Sequence, residues 1–325
     1  MAVVVRQTQV GVPFVLPLQV DVYANGCAQR YPATLRHAVD TLYFPAATRP
    51  DLVNVDAEKV LLWQKQDHKS LAEFACQYRH APRYLDRREA LAAAQTQPAN
   101  PVARQILVDG LRDKSAALRQ LAIEALDLKN AALRKSATPE LARLAATDLG
   151  PRVRAAALRA LGSLREKRYA AVFKQALGSR SYSVQAAALQ GLAALDPTQA
   201  LALAMAFEAD NKGALTVALV SVYGQAGGPA QWPLMLTKYD AADPNGRFGM
   251  LGGFVEILGR LDDATALEQG LTRIRDLTVK FKPYVDSEYI IGLLQQVQQR
   301  QAARPQAARA AVLVAQAEAA IRAAK

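Results

Sequence analysis

Three stretches of the chain repeat one pattern and decide its fold: residues 115–126 read SAALRQLAIEAL, residues 150–161 read GPRVRAAALRAL and residues 181–192 read SYSVQAAALQGL. The offsets between them are 35 and 31 residues, so each unit has room for two helices and their turns. The positions that superpose are Leu118, Val153 and Val184; Ala122, Ala157 and Ala188; Ile123, Leu158 and Leu189; and Leu126, Leu161 and Leu192. This repetition predicts a mainly α fold, a HEAT-like α-solenoid (an α-α superhelix) whose units bury their apolar faces against their neighbours.

Helical spacing extends on both sides of the repeats. Ser70 and Glu73 have the Ser-x-x-Glu spacing of a capping box, which predicts a helix start. The pair Asp262-Asp263 is expected to open another helix, and the glycine-rich residues 249–253 are interpreted as a site of close helix packing. Further helices are predicted at 215–223, 232–239, 248–261, 289–297 and 302–324, the last with Pro305 near its first turn, and connections at 227–229 and 243–246.

The first 66 residues alternate with the period of two that is typical of strands. Over residues 14–23 the alternation places five apolar side chains on one strand face. They are Phe14, Leu16, Leu18, Val20 and Val22. Asn25-Gly26 follows, the pair favoured in two-residue hairpin turns, and Pro17 is expected at an edge or bulge. Leu42 and Phe44 are expected on one side of a further strand. Several such short strands predict a small β-sandwich over residues 1–69, followed by the helical repeat domain over residues 70–325.

Composition and charge limit the function classes. The chain has 325 residues and lacks a run of about 20 apolar residues, so no membrane span is predicted. Its net charge is +11, and residues 104–180 alone hold 16 Lys or Arg against 7 Asp or Glu. Such a stretch attracts nucleic acid, an anionic surface or an acidic face of another protein, and it is equally typical of a solvated helix face.

Residues for catalysis or metal binding do not cluster in the sequence. The three histidines, His37, His68 and His80, form no His-Glu-x-x-His motif, and no phosphate loop or nucleophile elbow is present. Cys27 and Cys76 lack zinc-finger spacing and are interpreted as separate buried or half-buried packing groups. The sequence therefore predicts that this chain alone is not an enzyme and holds neither metal nor cofactor.

The order of the parts resembles a known family. Residues 13–23 (PFVLPLQVDVY) look like the first strands of the sandwich that follows the catalytic domain in M1-family zinc aminopeptidases. Residues 49–56 with Leu61 and Leu62 are similar to its last strands, and residues 84–91 (YLDRREAL) resemble the start of the helical domain. The chain therefore resembles the C-terminal region of such an enzyme, without its catalytic domain.

This resemblance implies a function for the region. It implies a non-catalytic portion that covers the active-site cleft and helps select peptide substrates, with zinc held only by the absent catalytic domain. The implied partners are an M1-type catalytic domain, in cis or in trans, and a peptide. Because Arg, Lys and Tyr side chains bind carboxylates, the candidates for a peptide's C-terminal carboxylate are Arg247, Lys280, Lys282 and Tyr284.

Two other functions remain open. One is a free-standing HEAT-like scaffold for protein interaction. The other is nucleic-acid binding through residues 104–180, which is ranked last because only Tyr169, Phe173 and Tyr182 lie in or near that stretch to stack on bases. The start at Met1 shows no signal peptide and is typical of a strand that an upstream domain would precede, so the sequence leaves cytoplasm and periplasm open.

Overall fold

The computed structural model describes residues 1–324, which form five strands and fifteen α-helices. The strands are β1 (Ala2–Arg6), β2 (Leu16–Ala24), β3 (Cys27–Leu35), β4 (Val39–Tyr43) and β5 (Leu52–Val55). The first eight helices are α1 (Leu71–His80), α2 (Tyr84–Gln95), α3 (Pro101–Gly110), α4 (Ala116–Glu124), α5 (Ala131–Thr147), α6 (Pro151–Ser163), α7 (Ala170–Leu177) and α8 (Tyr182–Leu195). The remaining seven are α9 (Pro197–Ala204), α10 (Ala214–Ala226), α11 (Trp232–Ala241), α12 (Pro244–Leu258), α13 (Ala264–Lys280), α14 (Ser287–Gln301) and α15 (Ala307–Ala323).

The chain divides into two compact units, Met1–Glu140 and Leu141–Lys325, and the division falls within α5. The predicted change from strands to helices lies elsewhere, since β5 ends at Val55 and α1 begins at Leu71. A domain boundary between residues 69 and 70 stays a prediction. The fold class is confirmed: a small β domain precedes a HEAT-like helical solenoid.

In the first unit, two antiparallel sheets share one apolar core. β1 pairs with β4, while β2 lies between β3 and β5. The core takes buried side chains from the three-stranded sheet and partly buried ones from β1 and β4. It includes Leu18, Val20, Val22, Leu35, Phe44 and Val55, with Val3, Val5 and Leu42 packed against them. The two sheets therefore face each other as a small sandwich.

Several local features of the sandwich match the sequence predictions. Asn25 and Gly26 have φ of 52° and 75°, the positive values that a two-residue turn between β2 and β3 requires. Pro17 pairs only with Thr34 of β3, so its missing N–H faces no strand. Phe14 is an exception, because it precedes β2 and is exposed rather than part of the core.

The helical array confirms the repeat. Of the twelve aligned positions, eleven are buried, and the exception is Leu126. It lies two residues beyond the end of α4, whereas Leu161 and Leu192 lie inside α6 and α8. The repeat therefore places the apolar seam correctly wherever the helix is long enough to continue it.

In the second unit, α6, α8, α10, α12 and α14 pack each on the next, and the intervening helices pack beside them. Glycine permits the close approaches in this row. A β-carbon on Gly224 of α10 would lie 2.5 Å from Cα of Gly253 in α12. The interpretation of residues 249–253 as close helix packing is confirmed at Gly253 and Gly249, while Gly252 meets no other group within 4 Å.

The helix starts that were predicted from capping residues are correct, whereas one of the predicted connections is part of a helix. Ser70 and Glu73 form the expected capping box, and Asp263 accepts from the N–H groups of Thr265 and Ala266. The prediction of a connection at 243–246 is wrong: Asp243 caps Gly246 N–H and Pro244 is the first residue of α12. Pro305 lies two residues before α15, near its first turn as predicted.

Candidate protein-docking surface

A buried ionic network ties the β strands of the first unit to its first two helices. Asp86 of α2 is completely buried; its Oδ1 lies 2.9 Å from Lys59 Nζ and accepts from Asn54 Nδ2 of β5 at 3.0 Å. Lys59 Nζ also donates to Glu89, and Gln77 of α1 donates to the same carboxylate at 2.8 Å. Because each charged group has an opposite charge within hydrogen-bond distance, the network is satisfied without water.

The network continues along the segment that enters α1. Lys65 and Lys69 each lie 2.9 Å from Asp67. Burial raises the pKa of Asp67, but the charges and hydrogen bonds of the two lysines together outweigh burial and hold that pKa below its usual value. Burial lowers the pKa of Lys69 despite the Asp67 charge. The orientation of the β strands on α1 and α2 is therefore set by charge as well as by apolar packing.

The two-stranded sheet presents an apolar outer face to solvent. Its register places Ala2 opposite Tyr43, Val4 opposite Thr41 and Arg6 opposite Val39, all on the side away from the core. Tyr43 is 79% exposed and Val4 57% exposed. We call these six residues the outer face. Arg6 is the one charged residue among the six, and a mostly apolar exposed face is typical of a surface that another protein covers.

The N-terminal part of the sequence that forms the outer face contains further exposed apolar residues. Of the seventeen large hydrophobic residues exposed within residues 1–324, nine lie before residue 63. Besides Val4, Val39 and Tyr43, they are Val10, Val12, Phe14, Val15, Val60 and Leu62. The sequence analysis did not predict this surface. Alternation shows on which face of a strand a residue lies, but it does not show whether that face is covered. The apolar outward residues of β1 and β4 were the available signal.

The four predicted carboxylate-binding residues lie in two neighbouring segments of the second unit. Phe248 and Phe281, next to these residues in the chain, are in ring contact at 6.0 Å. Arg247 donates to the carbonyls of Tyr239 and Asp240, at 3.1 and 2.7 Å, and so caps the end of α11. Lys282 Nζ donates to the carbonyls of Arg322 and Ala324 at the end of α15.

The side chains of the other two predicted residues make no hydrogen bond or ion pair within residues 1–324. Tyr284 is 85% exposed, and Lys280 is exposed with its Nζ 5.7 Å from the Phe281 ring centroid. Lys280 and Tyr284 therefore have side chains available to a ligand, whereas Arg247 and Lys282 already bind backbone carbonyls. Carboxylate binding by this group stays a prediction.

Replacing Arg247 tests whether its first role is structural. We expect Arg247→Ala to lower the free energy of unfolding by about 1 kcal/mol, because two terminal carbonyls of α11 lose their donor. Lys280→Ala, which removes an exposed side chain, should change it by less than about 0.5 kcal/mol. Urea titrations of both variants measure the difference, and equal stability of the two would contradict the capping role.

The basic stretch of residues 104–180 has no exposed aromatic partner for bases. Phe173 is fully buried and Tyr169 nearly so. Tyr182 donates its hydroxyl to Asp210 at 2.7 Å. Among the cations, Arg168 pairs with Glu166, and Arg154 donates to the Ala145 carbonyl. The two aromatic side chains inside this stretch, Tyr169 and Phe173, are therefore too buried to stack on bases, whereas the Tyr182 ring beside it is partly exposed.

Two of the histidine and cysteine residues share one helix: His80 follows Cys76 by one turn of α1, and its ring lies beside Gly26. Within residues 1–324, no group of three or more His, Cys, Asp or Glu side chains has an arrangement that could hold a metal ion, so these residues do not fit a zinc site. Cys76 is half-buried, as predicted, but the prediction that Cys27 is a packing group is wrong. Cys27 opens β3 directly after the hairpin turn, where its side chain is exposed. No helix in the described part of the chain is long and apolar enough to span a membrane.

The chain is thus a β domain joined to a HEAT-like solenoid. A family model described as HEAT repeats matches residues 104–193. Among solved structures, the chain is similar to the CpcE–CpcF complex of phycocyanin lyase from Nostoc, at a TM-score of 0.51 and 19% identity. The alignment covers 80% of this chain and 98% of that one. This likeness supports the fold alone.

A second similar structure is Legionella pneumophila aminopeptidase A in complex with aspartic acid, with a TM-score of 0.47 and 15% identity. The alignment covers 93% of this chain and 45% of the aminopeptidase chain, so this chain spans less than half of that protein. A comparison with curated protein sequences finds no match.

Proposed function

We propose that this chain is the non-catalytic, cleft-covering portion of an M1-type metallo-aminopeptidase and that its β domain docks on the catalytic domain. The observation that carries the proposal is the outer face, where Val4, Val39 and Tyr43 lie exposed on adjacent strands. An apolar sheet face of this kind is stabilised when a partner removes it from water. The order of sequence motifs, sandwich then helical array, supports the choice of partner.

The residues of this chain indicate which role it has and which role the catalytic domain has. The zinc and its His-Glu-x-x-His ligands belong to the catalytic domain, and this chain supplies no step of bond cleavage. The helical array restricts which peptides reach the cleft, with Lys280 and Tyr284 as the exposed candidates for contact with a peptide's C-terminal carboxylate.

A mixing experiment tests the docking. We expect this chain to bind a separately expressed M1 catalytic domain from the same genome and to alter its peptide-length preference. Tyr43→Glu should weaken binding by about 10-fold or more, because it replaces the largest apolar side chain of the outer face with a charge. Tyr289→Glu is the matched control, since Tyr289 is 65% exposed on α14, against 79% for Tyr43.

Isothermal titration calorimetry gives the affinities, and aminoacyl-fluorophore and longer peptide substrates give the activities. Equal affinities for the two variants would place the contact elsewhere than the outer face. Zinc-dependent activity from this chain alone would overturn the division of labour.

A free-standing protein-interaction scaffold is the second candidate, and the HEAT-like repeats over residues 104–193 favour it. It predicts no affinity for the catalytic domain. The same titration therefore separates the two functions.

A further inference from the structure

An open cavity in the first unit carries a basic rim that the proposed function does not use. Its volume is about 470 Å³, and it lies where α1 ends, α2 begins and the chain leaves α3. Four Lys or Arg side chains line it, against the carboxylates of Asp109 and Asp113. The cations come from separate segments of the chain, unlike a run of charges along one helix face.

The charged side chains at the floor of the cavity, Arg87 and Asp113, form an ion pair. Asp113 is buried and accepts from Arg87 Nε at 2.6 Å and from the Tyr78 hydroxyl at 3.1 Å. Arg87 Nη1 donates to the Pro82 carbonyl at 2.9 Å. Because Arg87 and Asp113 neutralise each other, neither offsets the charge of the rim.

The cationic side chains at the rim of the cavity are more exposed than Arg87 and are paired less completely. Arg79, at the end of α1, and Lys114, after α3, are exposed and have no hydrogen-bond acceptor or ion-pair partner within residues 1–324. Arg112 is 74% exposed and its Nε lies 3.3 Å from Glu140. Arg119 donates to the carbonyls of Asp113 and Lys114, which holds the backbone of the rim in place.

We propose that this cavity binds an acidic peptide segment, with a carboxylate seated between Arg79, Lys114 and Arg112. Charge-assisted hydrogen bonds from converging Arg and Lys side chains are the strongest recognition available to a carboxylate at an exposed site. A nucleic acid would also need a stacking surface. Tyr78 of the lining is 8% exposed and its hydroxyl donates to Asp113, which leaves the exposed His80 imidazole as the one ring of the lining on which a base could stack. The inference holds whichever partner covers the outer face.

Binding of a fluorescein-labelled hexaglutamate peptide to the full chain, followed by fluorescence anisotropy, tests the site. We expect the Arg79→Glu/Lys114→Glu double variant to weaken binding by about 10-fold or more, since an exposed ion pair contributes up to about 5-fold in affinity. The control is Arg159→Glu/Lys174→Glu, which changes the net charge equally at two exposed residues of the second unit. It should weaken binding by less than about 3-fold.

Three outcomes would overturn the assignment. The first is no peptide binding by the unaltered chain. The second is equal losses for the two double variants, which would mean attraction by net charge alone. The third is tighter binding of a labelled single-stranded oligonucleotide that is lost through the same two residues. An Arg79→Gln/Lys114→Gln variant, with circular dichroism of each protein, separates lost binding from lost folding.

Discussion

Asp86→Ala is expected to lower the free energy of unfolding of the first unit by about 3–5 kcal/mol, the cost of leaving one charge of a buried pair without its partner. The Lys59 side chain is 6% exposed and would lose the carboxylate 2.9 Å from its Nζ. Asn54 would lose its acceptor at the same time, and the N–H of Arg83 its cap. Glu89, at 3.2 Å from Lys59, is more exposed and offsets only part of the loss.

The two tryptophans make this effect measurable, because Trp63 lies in the first unit and Trp232 in the second. Urea unfolding followed by Trp63 fluorescence in a Trp232→Phe background reports on the first unit. Glu58→Ala is the control, since Glu58 pairs with Arg30 at 2.9 Å but both side chains are about 40% exposed. It should cost less than about 1 kcal/mol.

A double replacement sharpens the test. Lys59→Met combined with Asp86→Leu removes both charges, and we expect it to recover most of the stability lost in Asp86→Ala. An Asp86→Ala protein that unfolds at the same urea concentration as Glu58→Ala would show that the network does not stabilise the join between strands and helices.

Gly253→Ala is expected to destabilise the second unit by about 2–3 kcal/mol. A β-carbon there would lie 2.5 Å from the carbonyl oxygen of Val220 on α10. Since that atom belongs to a helix backbone, the clash can be relieved only by moving α10 and α12 apart. The loosened contact then extends over the apolar residues that both helices bury.

The adjacent glycine provides the control. A β-carbon on Gly252 meets nothing within 4 Å, so Gly252→Ala should stabilise α12 by about 0.5–1 kcal/mol through the better helix propensity of alanine. Urea unfolding followed by Trp232 fluorescence in a Trp63→Phe background measures both variants. Shifts of the same sign and size would argue that α10 and α12 lie farther apart than described here.

The HEAT-like array could be predicted from the sequence because apolar residues that recur at a constant spacing identify the buried face of each helix. Ala122, Ala157 and Ala188 recur at that period, and all three are completely buried. Helix caps could also be predicted, since Ser70 and Asp263 accept hydrogen bonds from N–H groups only two or three residues away. Asp86 accepts from the N–H of Arg83, three residues away, at the start of α2. Its pairing with Lys59 was not predicted, because those partners are 27 residues apart.

The class of fold, the register of the repeats and the lack of a zinc-binding motif can therefore be predicted from the amino-acid order. All three depend on local periodicity or on residue type. Three properties depend on the tertiary structure: which polar groups are buried, which glycine of residues 249–253 contacts another backbone, and which sheet face is apolar and exposed. Those properties arise from contacts between residues far apart in the chain, and a local pattern carries no information about what will lie opposite it.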